Sequence, residues 1–269
     1  MTARHSKGPR LFLSDVRFLF TPNIQQHLEL PREESHYVRD VLRLVVGDSL
    51  EIGSLAEKQI VAATIRSLGE AVTVTLHDLI QSEHSPQRPI ILLCALCKGD
   101  KNEQIIDWAT ELGCSAFHFW QATRSVVRLR NKEEFAKKAA RFQKVALAAA
   151  QQSKQSSPPS VSVHPDLLSA VQVLSSETAS ARLVCSLRPS APLLHTSIPQ
   201  LSADHPIVVA VGPEGDFTPE ELAQLTSQAS FAEVSLGQSV LRSELAVVTA
   251  LVAIRHEELV RGFNNANKV

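Results

Sequence analysis

Val208-Val209-Ala210-Val211-Gly212-Pro213-Glu214-Gly215-Asp216-Phe217-Thr218-Pro219-Glu220-Glu221 is the most informative run of this sequence. Its first four residues are all apolar, so both faces of the strand they predict lie away from water, as in a parallel sheet covered on two sides by helices. A tight turn with two glycines follows. Then Thr218 stands ready as an N-cap, with Pro219 at the first helical position and Glu221 at the third, the pattern of a capping box. In open α/β sheets ligands bind at such strand ends, and glycine lets backbone come close to them. The turn has neither the spacing of a dinucleotide fingerprint nor the Gly-Lys-Ser/Thr ending of a phosphate loop, so dinucleotide and ATP binding lose support. Taken alone, it is also compatible with a plain connection.

The same design recurs in Val234-Ser235-Leu236-Gly237-Gln238-Ser239-Val240-Leu241-Arg242-Ser243-Glu244-Leu245-Ala246. Ser243 suits a helix cap, and Glu244 suits the first turn, where the dipole favours an acid whether or not it does chemistry. From Ala246 to Ile254 the chain is almost uniformly apolar. Such a helix must be covered on more than one side, by a large core or by a partner subunit. Outward from these two runs, Ile90–Leu96, Ala116–Phe119, Ala181–Ser186, Ile207–Val211 and Ala232–Leu236 read as strands. Helices are expected over Asp100–Leu112, with Asp100 and Glu103 as a second capping box, and over Lys132–Gln152, with Phe142, Val145, Ala146 and Ala149 inward. Gln151–Ser160 reads as a mobile polar loop. Before residue 80, short runs at Leu11–Phe20, Ser49–Ile52, Gln59–Arg66 and Ala71–Leu79 predict a small strand-rich unit. One helix interrupts it, burying Val38, Val41, Leu42 and Val45 and leaving His36, Arg39 and Arg43 outside. The polar, proline-containing stretch 81–89 is the expected linker, which gives domains 1–80 and 90–269.

A formal net charge of −1 conceals a strong segregation. Residues 98–154 hold 11 Lys and Arg against 6 Asp and Glu, a net +5, whereas residues 155–269 hold 6 against 11, a net −5. A local basic face can hold polyphosphate on a neutral protein, and it can equally be solvated surface. The four cysteines (Cys94, Cys97, Cys114, Cys185) do not make a disulfide scaffold in a chain of this length. Cys94 and Cys97 form a lone CxxC that lacks a second ligand pair and sits on a strand, where residues three apart face opposite ways; no metal is expected. No apolar run is long enough to span a membrane, and Met1–Arg10 lacks an apolar signal core, so a cytoplasmic protein is expected.

Several motifs taken together resemble the 16S ribosomal RNA uracil-N3 methyltransferase family of the knotted SPOUT superfamily. They are Gly212-Pro213-Glu214-Gly215, Leu236-Gly237 with Leu241-Arg242-Ser243-Glu244-Leu245-Ala246, Lys98-Gly99-Asp100-Lys101 with Ala109-Thr110-Glu111-Leu112-Gly113, and Arg124-Ser125-Val126-Val127. Phe142-Gln143-Lys144-Val145-Ala146 with Gln152-Ser153, and Pro9-Arg10 with Val41-Leu42-Arg43-Leu44 and Gly47-Asp48, extend the likeness over nearly the whole chain. The resemblance implies an α/β fold with a C-terminal trefoil-knotted SPOUT methyltransferase domain on a parallel sheet, and an N-terminal PUA-like β-barrel. It implies S-adenosyl-L-methionine as cofactor, held by Ser186, Leu187, Gly212, Gly215, Leu236, Gly237, Leu241 and Arg242. It implies methylation of uracil N3 in 16S ribosomal RNA, at the 3′-terminal decoding-region uridine, by a homodimer on the small ribosomal subunit. Arg242 is then the candidate for electrostatic catalysis and Glu244 the poorer candidate for a base. Arg10, Arg43, Lys98, Lys101, Arg124, Arg128, Gln152 and Lys154 are the candidate RNA contacts. Three positions depart from the family pattern: Asp216 in place of a glycine, Thr123 in place of a glutamate, and Gln155 where an arginine is usual. A non-catalytic RNA-binding assembly factor of the same fold is the alternative, and intact Gly212, Gly215, Gly237 and Arg242 weigh against it.

Overall fold

The computed structural model describes residues 8–14, 16–18, 26–57, 59–80, 88–175, 179, 181–198 and 205–266. Most of the linker stretch 81–89 and most of the first ten residues lie outside the described residues. The chain divides into two compact units.

The first unit comprises residues 1–85 together with 150–158. Its strands are β1 (Arg10–Leu13), β2 (His27–Glu29), β3 (Ser49–Ser54), β4 (Gln59–Leu68) and β5 (Val72–Leu79), in the order β1-β3-β4-β5-β2. Only β1 and β3 run parallel; the other described pairs are antiparallel. Period-two alternation turns Leu11, Leu13, Leu50, Ile52, Val61, Ala63, Ile65, Val72 and Val74 into one core. The expected helix is shorter and different in kind. Helix α1 (Arg32–His36) passes into a π-helical turn over Tyr37–Val41, which breaks the 3.6-residue spacing. Val38 is therefore fully buried while Val41 and Val45 stay exposed, so the stripe read from the sequence does not form.

The second unit comprises residues 86–149 and 159–269. Six parallel strands, β6 (Ile90–Ala95), β7 (Cys114–Trp120), β8 (Ser160–His164), β9 (Ala181–Cys185), β10 (Ile207–Val211) and β11 (Ala232–Val234), lie in the order β11-β9-β10-β6-β7-β8. Every residue of β6 and β10 is buried. Ile90, Leu92 and Cys94 face one core and Ile91, Leu93 and Ala95 the other, which is why these strands show no alternation in sequence. Helices α2 (Lys101–Glu111), α3 (Lys132–Gln152) and α7 (Ser243–Ala266) bury Ile105, Ile106, Phe142, Ala146, Val247 and Leu251 in the first of these cores. Helix α4 (Leu167–Leu174) and the segment from α6 (Pro219–Ala223) onward cover the second with Leu167, Ala170, Leu222 and Leu225. Helix α5 (Leu194–Ser197) is a single turn.

One strand of this unit was not expected, and one cap does not form. The polar stretch after α3 leads into strand β8, pinned at its start by Gln143, whose amide donates to Pro159 O (2.9 Å) and accepts from Val161 N (2.9 Å). Asp100 makes no side-chain cap on α2: its backbone, at φ −89° and ψ 1°, is not in the extended region an N-cap adopts, and the Glu103 side chain, the other half of the expected box, pairs with Arg141 (2.7 Å).

Candidate functional site

Three loops leave the carboxyl ends of adjacent strands β9, β10 and β11, and they enclose a cavity of about 230 Å³. From the first loop come Ser186 and Leu187, from the second Gly212, Glu214 and Asp216, and from the third Leu236, Gly237, Leu241 and Arg242. Each loop is fastened by a different device. Ser186 N donates to Val234 O (2.9 Å), and its hydroxyl donates to Glu233 (2.7 Å), so the hydroxyl orders the loop. In the second loop Asp216 N donates to Pro213 O (2.9 Å), closing a four-residue turn. Helix α6 then starts with the expected capping box: Thr218 Oγ1 accepts from Glu221 N and Glu221 accepts from Thr218 N, with Pro219 at the first position. Glu221 also accepts from Thr123 N (2.9 Å), so Thr123 is held through its backbone. The third loop is tied to the first by Ser235 N to Pro192 O (2.8 Å) and Leu194 N to Ser235 O (2.9 Å). Ser243, at the start of α7, uses its hydroxyl proton to join two loops. It donates to Gly212 O (3.0 Å), joining the third loop to the second across 31 residues of chain.

The glycines serve distinct purposes. A Cβ on Gly212 would meet the Phe217 ring at 3.0 Å, and that ring stacks on Trp120 in the core. A Cβ on Gly215 would come within 3.1 Å of Arg124, whose guanidinium donates to Gly215 O (2.9 Å) and Phe217 O (3.1 Å). Gly215 packs on Arg124, between Glu214 and Asp216, which line the cavity. At Gly237 nothing lies within 4 Å of a Cβ, but φ is +126°, a conformation that L side chains rarely adopt. Asp216 occupies φ +61°, and its carboxylate accepts from Phe217 N (2.8 Å). Asp is among the few residues that visit this region with a local hydrogen bond, so the position that is glycine in the resembling family keeps its backbone shape here.

Charge around the cavity is organised by Lys101. Its ammonium lies 2.8 Å from Glu214 and 3.8 Å from Glu244. The hydrogen bond to Glu214 raises Lys101 above its ordinary range. Burial alone would push Glu214 up, but Lys101 and nearby backbone amides outweigh it and hold the carboxyl below its usual value. Glu244 is buried and does not line this cavity; it lines a second concavity that shares Arg242 with the first. The thiol of Cys185, which does line it, is pushed up to about 12 by burial and stays protonated.

Among the candidate RNA contacts, Arg10 is excluded by its surroundings. It is buried, paired with Glu51 (2.8 Å), and donates to the carbonyls of Lys154 and Gln155. Lys154 lies 3.4 Å from the same Glu51, with φ +56°. Arg128 donates to Ala122 O (2.9 Å) and Thr123 O (2.6 Å), which partly commits its guanidinium, as Arg124 is committed to the glycine turn. Arg43, Lys98 and Gln152 are exposed. Arg43 adopts φ +54°, which the sequence did not signal. Cys97 falls beyond the end of β6, so the strand-pleat reason for separating it from Cys94 does not apply; both thiols donate to Ala95 O. Among the described residues no group of three or more His, Cys, Asp or Glu side chains could hold a metal ion, and no helix is long and apolar enough to cross a membrane.

Residues 83–255 match the model of the RNA methyltransferase domain family. The ribosomal RNA small subunit methyltransferase E of Bacillus subtilis is 32% identical over 86% of this chain and 90% of its own length, and that of Synechocystis is 30% identical over 92% and 80%. A methyltransferase structure from Legionella pneumophila, described as a complex with the bound cofactor SAM, covers 93% of this chain and 98% of its own at 25% identity, with a TM-score of 0.78. The structure of ribosomal RNA small subunit methyltransferase E from Neisseria gonorrhoeae shares the fold at 23% identity and a TM-score of 0.77, covering 93% of this chain and 97% of its own. With three strand-end loops converging on one cavity and these likenesses over most of its length, this chain belongs to the ribosomal RNA small subunit methyltransferase E family.

Proposed function

We propose that this protein transfers a methyl group from S-adenosyl-L-methionine to N3 of a uracil in 16S ribosomal RNA, at the decoding-region uridine near the 3′ end. The observation that carries this reading is the three-loop cavity, whose lining suits the cofactor chemically. Leu187 and Val240 stand at it 55% and 76% exposed, apolar surface that a nucleoside would cover. Glu214, Asp216 and Arg242 bring charges of both signs, as an amino-acid tail requires. When bound, the cofactor supplies a sulfonium methyl group, an electrophile open to in-line displacement. The chain's own part is to hold the loops rigid through Ser186, Ser235 and Ser243, to exclude water with Leu187 and Val240, and to set Arg242 beside the anion that uracil becomes when N3 loses its proton.

The knotted topology belongs to the same reading. It is supported by the path of residues 235–243, tied on one side to the 186–194 loop through Ser235 and on the other to Gly212 through Ser243. The homodimer is supported by the outer side of α7. Leu245, Val252 and Leu259 follow one another every seven residues, 49%, 47% and 63% exposed, and form an apolar stripe for a second copy. Lys98, Lys101, Arg43, Arg124, Arg128, Gln152 and Lys154 remain the proposed RNA contacts, with Arg10 removed. We place the activity in the cytoplasm, with the small subunit as partner.

Mass spectrometry of 16S ribosomal RNA from a strain lacking the protein should show one uridine without its N3 methyl group. Purified protein and cofactor should restore it. An unchanged methylation pattern would refute the assignment.

A further inference from the structure

On the far side of Arg242 from the cofactor cavity lies a second concavity, an open groove of about 730 Å³ between the start of α2 and the start of α7. Arg242 lines both, and so marks the partition between them. Two features of the groove are unexplained by packing. Glu244 is only 8% exposed, and its Oε2 has no hydrogen-bond partner, Lys101 being too far at 3.8 Å. A buried carboxylate oxygen without a donor is costly, so such an atom points to a donor that arrives with a ligand. Trp108, on α2, leaves 38% of its surface bare in the same groove.

Glu244 Oε2 lies 3.8 Å from the Lys101 ammonium, and Arg242, whose side chain has no partner among the described residues, lines the same groove. Two cations and one carboxylate supply in kind what the Watson–Crick edge of uracil needs, since it presents an acceptor at O2, a donor at N3–H and an acceptor at O4. Cytosine presents an acceptor at N3 and would set it against the carboxylate. The groove lining is also unsuited to a phosphate backbone: Asp100, Glu103, Asp107 and Glu244 outnumber Lys98, Lys101 and Arg242, although Arg141 neutralises Glu103. A flipped base that stacks on an indole and leaves its phosphates outside fits better.

We infer that this groove receives the target uracil, with Trp108 as its stacking face and Glu244 as the acceptor of the N3 proton; the inference rests on the methyltransferase reading above. In the step it describes, the N3–H bond breaks and an O–H bond forms on Glu244. The electron pair left on N3 makes the new N–C bond to the methyl carbon, and the C–S bond of the sulfonium donor breaks with its pair remaining on sulfur. Lys101 is a positioning residue, holding Glu244 and Glu214 on either side of the partition. Glu214 lines the cofactor cavity, so the two concavities are coupled through one ammonium.

The test compares wild type, Glu244→Gln and Trp108→Ala in four measurements. They are cofactor affinity by calorimetry, single-turnover methylation of small subunits from a strain lacking the protein, quenching of tryptophan fluorescence by uridine and cytidine monophosphate, and sedimentation. Glu244→Gln should bind cofactor as wild type does and methylate roughly 100- to 10,000-fold more slowly. Its residual rate should climb about tenfold per pH unit, as solvent must then remove the N3 proton. Trp108→Ala should raise KM for the subunit about five- to a hundredfold, the loss of one stacked base, and should abolish the quenching that uridine monophosphate causes more strongly than cytidine monophosphate. Glu244→Gln that methylates within a few-fold of wild type would overturn the inference. So would Trp108→Ala that alters only sedimentation, since the groove would then hold a second copy of the chain. Wild-type protein that binds cofactor but never methylates the subunit would instead defeat the functional reading, before any variant is compared. Should Glu244→Gln fail to fold, Glu244→Asp and the nucleotide preference of Trp108 quenching decide the matter in its place.

Discussion

Gly237→Ala isolates the backbone shape of the third loop from its packing. At φ +126° an alanine pays for the conformation itself, whereas nothing within 4 Å of the new Cβ adds a clash. Strained backbone of this kind costs about 1–3 kcal/mol at a single residue. Two outlets exist for that cost. If the loop keeps its place, the whole amount appears as lost folding stability. If the loop relaxes to a more comfortable φ, stability is preserved and Leu236 and Leu241 leave the positions from which they line the cavity. Gly237 is exposed and held by the Ser235 hydroxyl, which donates to Gly237 O (3.2 Å) and accepts from Gly237 N (3.3 Å); these long, local bonds can follow a shift of the loop, so relaxation should be favoured. The expected result is a five- to roughly hundredfold weaker affinity for S-adenosylmethionine, at about 1.4 kcal/mol per tenfold, with little change in the unfolding midpoint. Calorimetric titration and denaturant unfolding of the same preparations measure the two outlets side by side. Unchanged affinity together with unchanged stability would refute the reasoning, because the strain would then have no place to appear.

His118, Ser162 and His164 form a cluster across β7 and β8, with His118 Nδ1 2.8 Å from Ser162 Oγ, and burial lowers His118 to about 4. The unfolded chain then binds a proton near pH 6.5 that the folded one refuses until about 4, so stability should be full above 6.5 and fall by up to about 3 kcal/mol as pH drops to 4; His118→Gln should flatten that slope in denaturant titrations. Val252→Asp should leave the fold intact and shift sedimentation toward monomer, while Leu251→Asp, whose side chain is fully buried within its own unit, should unfold the protein whatever its oligomeric state. Asp216→Val should destabilise by about 1–2 kcal/mol, since a β-branched residue has no easy access to φ +61°. Replacing Lys98 by alanine should flatten the log–log salt dependence of RNA binding by roughly 0.7–0.9, and an unchanged slope would return it to solvated surface.

The apolar runs Ile90–Ala95 and Ile207–Val211 were legible as buried parallel strands because nothing local competed with their pattern, and the box at Thr218 and Glu221 is complete within four residues. The cavity loops were legible through family likeness, whereas the packing of Gly215 on Arg124, 91 positions away, was not. What sequence could not show is set by distant partners. Strand β8 follows a serine- and proline-rich stretch and is anchored by Gln143 from the preceding helix. Arg10 looked like a phosphate ligand, and its burial depends on Glu51 and on carbonyls more than 140 residues downstream. Asp100 has the residue type of a cap but not its extended backbone, and Arg141, from another helix, takes the Glu103 side chain that would have completed the box.

Those carbonyls of Lys154 and Gln155 have a consequence for the order in which the protein is made. Residues 150–158 belong to the first compact unit, although 64 residues of the second separate them from position 85. During synthesis the strands around Arg10 and Glu51 leave the ribosome long before the segment that satisfies the guanidinium. Glu51 and Lys154 lie 103 positions apart, so at about 5–20 residues per second the gap is roughly 5–20 seconds. Through that interval Arg10 and Glu51 have only each other, and the first unit cannot reach its final stability. A gene fragment ending near residue 85 would encode the same incomplete object permanently. The N-terminal unit is therefore finished from within the second, and neither can be cut out of the gene as a single continuous piece.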